Sequence, residues 1–196
     1  VSGRRTTVPL AGPARRQARV AADHIAGLDS QYRGAAGTAI LRVFGLTAAI
    51  TGLNEGMARS LNLAYDKVIL SPPSHAAYYP GAREMTLKLL LGREDGRILG
   101  AQIVGEDGVD KRIDVLAAAM QAGMRAPALK ELDLAYAPPF SSANDPVNMA
   151  GFMAENVLSG KVKQFFPAEL SRLPHDAQRL DVRTREEDEE GRAEEF

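Results

Sequence analysis

The sequence predicts an α+β fold with a largely antiparallel sheet, and three observations carry that reading. Between Thr38 and Val104 the chain runs through short β-rich stretches separated by turn residues rather than by long helical blocks. Two of these stretches flank Glu94-Asp95-Gly96, a glycine-bearing turn of the kind that closes a hairpin. Helical periodicity then dominates from Asp110 to Gly160, so strands and helices are segregated, unlike the alternation of a βαβ sheet.

The first element is a helix over Ala14 to Ile25, entered at Pro13 and left at Gly27. Ala14, Ala18, Ala21, Ala22 and Ile25 recur on one face while Arg15, Arg16 and Arg19 lie elsewhere. A stripe of alanine supplies too little apolar surface to build a core, so this helix is expected to pack on something else. Strands are then predicted over Thr38 to Phe44 and Leu46 to Ile50, parted by Gly45. Thr51 is expected to cap a short helix carrying Leu53, Met57 and Leu61, with Asn62 ending it in a left-handed conformation. Lys67 to Ser71, Met85 to Leu91 and Arg97 to Val104 complete the strands.

Val109, Ile113, Leu116 and Met120 mark a helix from about Asp110 to Ala122, stopped by Gly123. Pro127 to Leu132 is a short helical candidate, and Ala135 to Phe140 is stiffened by two prolines. Asp145 and Pro146 open a last helix whose Val147, Ala150, Gly151, Ala154 and Leu158 share a face, with Gly160 closing it. Beyond Lys163 the text changes character. Thr184 to Phe196 is mostly acidic and reads as a solvated helix or a disordered tail.

Composition excludes several chemistries. The 196 residues contain no cysteine, which removes disulfides, thiolate zinc sites and redox dithiols from this polypeptide. His24, His75 and His175 have no metal-pair spacing, so no metal is expected. A net charge of −1 argues against a nucleic-acid platform. That charge is unevenly spread: residues 1–33 hold six arginines against two aspartates, and residues 181–196 hold eight acidic groups against three arginines. No apolar run reaches the ~18 residues of a membrane span and no signal peptide opens the chain, so a cytoplasmic location is expected. The first residue is Val rather than Met, which suggests a processed start or a piece of a longer protein. No phosphate-loop, dinucleotide or nucleophile-elbow motif is present.

Three stretches hold more functional residue types than packing requires. Ser74 to Gly81 places His75, Tyr78 and Tyr79 in a loop stiffened by proline, and composition alone favours reading it as a packed aromatic loop edge. Tyr136 to Ser142 presents a third phenol on a near-rigid turn, which is also a common way to join two helices. In Gly108 to Asp114, Lys111 and Arg112 oppose the helix dipole and suggest an anion or a partner's carboxylate, or simply a solvated face.

Four segments, PLAGPARRQARVAADHIAG (Pro9–Gly27), HAAYYPG (His75–Gly81), DGVDKRIDVL (Asp107–Leu116) and LAYAPPFSSANDPVNMAGFMAENVLSG (Leu134–Gly160), resemble, in this order, one family. It is the C-terminal third of the flavin-dependent pyridine nucleotide-disulfide oxidoreductases, in the branch of coenzyme A-disulfide reductases and NADH oxidases or peroxidases. The resemblance implies that residues 1–33 end an FAD-binding domain, with Pro9, Leu10, Ala11 and Gly12 at the pyrimidine end of FAD, and that NAD(P)H is the co-substrate. It implies that residues 34–163 form an interface domain that pairs two subunits as a homodimer, with Tyr136 and either Tyr78 or Tyr79 reaching the partner's catalytic cysteine. His75, Lys111 and Arg112 become candidates for contact with a CoA-linked disulfide; oxygen or peroxide is the other acceptor the branch allows. Residues 164–179 would be a linker. Leu180 to Thr184, followed by Glu186 and Glu187, resembles the opening of a rhodanese domain, so 180–196 is either a truncated start of one or an acidic tail. The alternative to an enzyme part is a stand-alone dimerisation module without catalysis.

Overall fold

Five strands form one antiparallel sheet in the order β1-β2-β5-β4-β3. The computed structural model describes Gly3, residues 6–166, and beyond them Glu169, Leu173, Pro174, 176–178, Leu180, Val182, Thr184 and Glu189. The chain divides into two units, Val1–Lys163 and Gln164–Phe196.

In the first unit the elements are α1 (Ala11–Ile25), β1 (Ala39–Val43), β2 (Leu46–Gly52), α2 (Glu55–Ser60), β3 (Tyr65–Leu70), β4 (Met85–Gly92), β5 (Ile98–Gly105), α3 (Val109–Gln121), a 3-10 helix (Ala126–Glu131) and α4 (Pro146–Leu158). The expected α+β class and its antiparallel sheet are therefore observed. Chain neighbours β1 and β2 pair directly, as do β3 and β4, and β4 and β5. The non-local pairing of β2 with β5 puts β5 at the centre.

One face of the sheet carries the main core. Leu87, Leu89 and Leu91 of β4 and Ala101 and Ile103 of β5 are shielded by Val109, Ile113 and Leu116 of α3 and by Val147, Ala150 and Ala154 of α4. These side chains are spaced as period 2 on the strands and about 3.6 on the helices, which lets both surfaces bury one side. The opposite face holds a smaller cluster in which Ala58 of α2 meets Leu90 and Leu99.

The helix punctuation follows the sequence at α3 and α4 and departs from it at the starts of α1 and α2: α1 begins at Ala11 rather than Ala14, with Pro13 inside its first turn. Asp145 caps α4 by accepting from the Val147 amide at 3.0 Å, and Asn148 returns the bond to the Asp145 amide at 3.1 Å, so Pro146 sits in the first turn, where no amide is missed. Gly123 and Gly160, at φ 74° and 71°, follow α3 and α4 as expected, and Asn62 takes φ 52° after α2. Thr51, expected as a cap, instead lies in β2 and bonds the Thr38 hydroxyl at 2.7 Å. The cap of α2 is Asn54, which accepts from the Met57 amide at 2.8 Å. Asparagine matches threonine as a cap, and the β2 ladder extends past the position the sequence suggested.

The alanine face of α1 stays open within this chain: Ala14, Ala18, Ala21 and Ala22 are exposed and Ile25 is 89% exposed. Pro13 is the one residue of α1 that is buried.

In the second unit, Phe166 and Glu169 close a turn, the Phe166 amide donating to the Glu169 carboxylate at 3.0 Å and the Glu169 amide to the Phe166 carbonyl at 2.7 Å. The rhodanese-like stretch falls largely outside the described residues.

Candidate functional site

Two loops at one end of the sheet bring the tyrosines together. The first leaves β3 through Pro72 and Pro73 and returns to β4; the second runs from the 3-10 helix through Pro138 and Pro139 to α4. Prolines fix φ at these positions, and in the second loop Pro138 and Pro139 lie in a turn closed by the Phe140 amide donating to the Ala137 carbonyl at 2.9 Å. The Ala76 amide donates to the Ser141 carbonyl at 3.1 Å, tying one loop to the other. At their tips the hydroxyls of Tyr78 and Tyr136 lie 3.3 Å apart.

Tyr78 is 77% and Tyr136 48% exposed, so both phenols are open to a ligand or partner. The bond to Tyr136 is the main cause that holds the Tyr78 hydroxyl above its ordinary pKa, with a smaller push from burial. Tyr79 makes a different contact. Its ring meets His75 edge-on, 5.8 Å between centroids.

Beside Tyr136 lies an open cleft of about 460 Å3, bordered by Asp107, Lys111, Ala135, Pro139 and Phe140. Its walls combine an exposed aromatic, Phe140, with a cation, Lys111. Other concavities of about 420 and 400 Å3 exist, so volume does not single this one out. The adjoining phenol pair does.

Lys111 and Arg112, adjacent in sequence, are placed differently. The Lys111 ammonium is partly exposed, donates to the Ala135 carbonyl at 3.3 Å and stands 3.6 Å from the Asp145 carboxylate. Arg112 is 1% exposed. Its guanidinium pairs with Asp145 at 3.0 Å and donates to the carbonyls of Ser74 at 2.8 Å and Gly108 at 3.1 Å. The carboxylate that answers these cations thus comes from the same chain, and Arg112, although buried, also borders the cleft beside Tyr136. Burial works to raise the Asp145 pKa, but bonds from the Val147 amide, the Ser141 hydroxyl and Arg112 outweigh it, and the carboxyl titrates below the usual range. His75 is also buried, its Nδ1 3.2 Å from the Ala76 carbonyl, beneath the loop rather than on the cleft wall.

Leu10, Ala11 and Gly12 form the start of α1. Leu10 is extended, no side chain caps the helix and no acidic residue occupies its first turn. Pro9 immediately precedes it.

Sequence reasoning singled out the three tyrosines, Lys111 and Arg112 as candidates but did not foresee that Arg112 is buried in a cluster with Asp145 and Ser141. One signal was available: Arg112 follows Val109 by three residues and precedes Ile113 and Leu116, on a helix face that the core was bound to cover.

A five-stranded antiparallel sheet backed by two helices, with exposed phenols carried on proline-stiffened loops, defines an α+β domain built to present side chains outward. The chain belongs to the pyridine nucleotide-disulphide oxidoreductase family through its dimerisation domain, whose family model matches residues 38–146. A coenzyme A disulfide reductase of Staphylococcus aureus is 38% identical over 150 residues, which cover 76% of this chain and 34% of that one. The chain therefore spans about a third of the length of the curated relatives it matches. The solved structure of reduced Bacillus anthracis CoADR-RHD superimposes with a TM-score of 0.82 at 48% identity, covering 85% of this chain and 30% of that chain. A NAD-dependent persulfide reductase from A. fulgidus gives a TM-score of 0.78 at 44% identity, covering 81% and 30%.

Proposed function

We propose that this chain is the subunit-pairing part of an FAD-dependent NAD(P)H disulfide oxidoreductase of the coenzyme A-disulfide reductase and NADH oxidase type, acting as a cytoplasmic homodimer through residues 34–163. The observation that carries the reading is the Tyr78–Tyr136 hydroxyl pair, 3.3 Å apart on an exposed rim beside the Lys111 cleft. Bulky phenols left in solvent on rigid loops suit a site completed by another polypeptide.

In disulfide reduction, RSSR + NAD(P)H + H+ gives 2 RSH + NAD(P)+: the S–S bond breaks and each sulfur takes one electron of the pair and one proton. FAD, when bound, conveys that pair from nicotinamide to sulfur. The chain has no cysteine, so the redox sulfur belongs to a segment outside these residues. What Tyr78 and Tyr136 contribute is hydrogen-bond donation to a sulfur as it gains charge, with one phenol donating to the other and the second left to donate outward. Phe140 and Pro139 offer an apolar wall to the arm of a CoA-linked substrate, and Lys111 offers a cation to its phosphates.

For FAD, the start of α1 fits. Its first amides have no intrahelical acceptor, its first turn holds no carboxylate to compete for them, and among the described residues a Cβ at Gly12 would meet nothing within 4 Å, so a ring system can approach. The amides of Ala11 and Gly12 would hold the electron-rich pyrimidine edge. The open alanine face of α1 is consistent with its packing on the rest of an FAD domain.

Co-assembly of two impaired whole subunits tests the reading. One lacks its redox cysteine; the other carries Tyr78→Phe and Tyr136→Phe. If phenols serve the partner's sulfur, the mixed dimer contains one complete site and regains disulfide reduction that neither homodimer shows. No regain on mixing, with mixed dimers verified by mass, removes the proposal.

A further inference from the structure

We infer that Arg112 is a positioning residue for the phenol pair: its buried guanidinium holds the Tyr78 loop and the Tyr136 loop in one register. This rests on the proposed role of those phenols for its consequence, but the geometry stands by itself.

Both tyrosines sit on irregular loops, and no sheet ladder fixes one loop against the other. Two things span the gap beneath them. One is the Ala76 to Ser141 backbone bond; the other is Arg112. Its Nη2 donates to the Ser74 carbonyl at 2.8 Å on the first loop, and to the Phe140 carbonyl and the Ser141 hydroxyl, each at 3.4 Å, on the second. Nε reaches the Asp145 carboxylate at 3.1 Å, and Nη1 reaches Gly108 at the start of its own helix. Ser74 lies four residues before Tyr78 and Phe140 four residues after Tyr136, so one planar group grips each loop one short step from its phenol.

The grip is built to be unyielding. Arg112, Ser74, Ser141 and Asp145 are all buried, which removes competing water. Ser141 also donates to Asp145 at 2.7 Å, and Ser74 is pinned at the loop base by its amide bond to the Arg83 carbonyl at 2.7 Å. Only a fork of donors with fixed spacing satisfies a carboxylate and carbonyls on two loops together; a lysine ammonium supplies the charge without the span. A buried pair of this kind is weak evidence for stability; what speaks for a positioning role here is that its donors reach both loops and the α4 cap at once.

The test is Arg112→Lys, made in the whole enzyme and in this chain, with Asp145→Asn as the second variant because asparagine keeps the helix cap while removing the charge that orients the fork. In the chain, NMR of ring-labelled tyrosine reads the Tyr78–Tyr136 contact and the Tyr78 titration. We expect folded Arg112→Lys to lose the hydroxyl-to-hydroxyl contact and its Tyr78 pKa to fall toward the ordinary value. In the whole enzyme kcat should drop between about tenfold and a hundredfold, the effect of misplacing a group by about 1 Å, with KM for the disulfide changed far less. If Arg112→Lys does not fold, the same two readouts on Asp145→Asn decide, with the same signs expected.

Folded variants that keep the phenol contact and the Tyr78 titration overturn the positioning role, whatever happens to turnover. Variants that lose the contact while turnover is untouched confirm the positioning and overturn the function assigned to the phenols. Tyr136→Phe, which removes the hydroxyl without disturbing the fork, separates the cases: it slows turnover only if the phenol reading holds.

Discussion

The hydroxyls of Tyr78 and Tyr136 meet at 3.3 Å although 58 residues separate them. The contact is the meeting point of two loops whose bases are tied by the Ala76 amide and the Arg112 guanidinium. A phenol that accepts from a neighbour is a better donor onward, so the pair is more than two independent tyrosines.

Replacing Tyr136 with Phe therefore has two readouts. Tyr78 loses the bond that chiefly raises its pKa, and its titration should move down toward the ordinary phenol value. Turnover of the whole enzyme should fall by about tenfold to a thousandfold, the range for removing one donor from a site where charge develops. Ultraviolet difference titration above pH 9 and steady-state kinetics check the two. A Tyr78 titration that does not move would show that the two hydroxyls do not meet in solution.

Much of this fold was legible because helix ends and strand alternation are local. Asp145-Pro146, Gly123 and Gly160 announce α3 and α4 through chemistry confined to a few residues. What could not be read was non-local. Nothing near Leu46 says that β2 pairs with β5, and nothing near Arg112 says that its charge is answered by Asp145, 33 residues on. The Thr51 cap failed for a related reason: Thr51 and Asn54 compete as caps, and the choice falls to Asn54 because Thr51 pairs with Ala101 across the β2–β5 ladder. For the site, residue types on loops pointed to Tyr78, Tyr79 and Tyr136, but which phenol meets which depends on packing 58 residues apart.

Gly151 provides a packing test. It lies on the buried face of α4, and a Cβ built there would run into the Lys130 amide nitrogen and the Leu129 carbonyl carbon of the 3-10 helix. Backbone cannot rotate aside as a side chain can. Gly151→Ala should gain a little helix propensity and lose more to overpacking, for a net destabilisation of about 1–3 kcal/mol. Urea unfolding followed by circular dichroism measures it; an unchanged midpoint would mean that the two helices are not in backbone contact.

The tip of the β1–β2 hairpin points the other way. Phe44 is 98% exposed and has φ 53°, a left-handed backbone that a bulky residue adopts at a cost of about 1–2 kcal/mol. Packing among the described residues does not offset that cost. Phe44→Asn tolerates the same backbone, and it should stabilise the chain by about 0.5–1 kcal/mol, seen as a higher melting temperature. A lower melting temperature would show that the aromatic ring has a stabilising contact.

Glu55 sets the acid response. It opens α2, where the helix dipole favours a carboxylate, and accepts from Lys67 of β3 at 2.7 Å and Lys88 of β4 at 2.6 Å, one on each oxygen. Burial works to raise its pKa, but the two lysine bonds and their charges outweigh this and bring it from 4.5 to about 2. Because the folded value is depressed, the unfolded chain binds the proton first as pH falls. The stabilisation is full above pH 4.5 and drains away between there and about pH 2. Allowing for solvent screening of a partly exposed cluster, its size at neutral pH is about 1–2 kcal/mol. Glu55→Gln should therefore lower neutral-pH stability by that amount, and the gap between variant and parent should close as the pH approaches 2. Chemical unfolding at a series of pH values follows the gap. A gap that stays constant with pH would mean that the loss comes from packing and not from the charge; one that is absent at pH 7 would mean that Lys67 and Lys88 are equally well solvated without their partner. The result also bears on the site, because Glu55 clamps α2 to β3 and β4, the two strands joined by the Tyr78 loop, while leaving the Arg112 cluster untouched. A change in the Tyr78 titration on Glu55→Gln would then report strain passed along those strands, and its absence would leave Arg112 and the Ala76 amide as the ties that hold the phenols together.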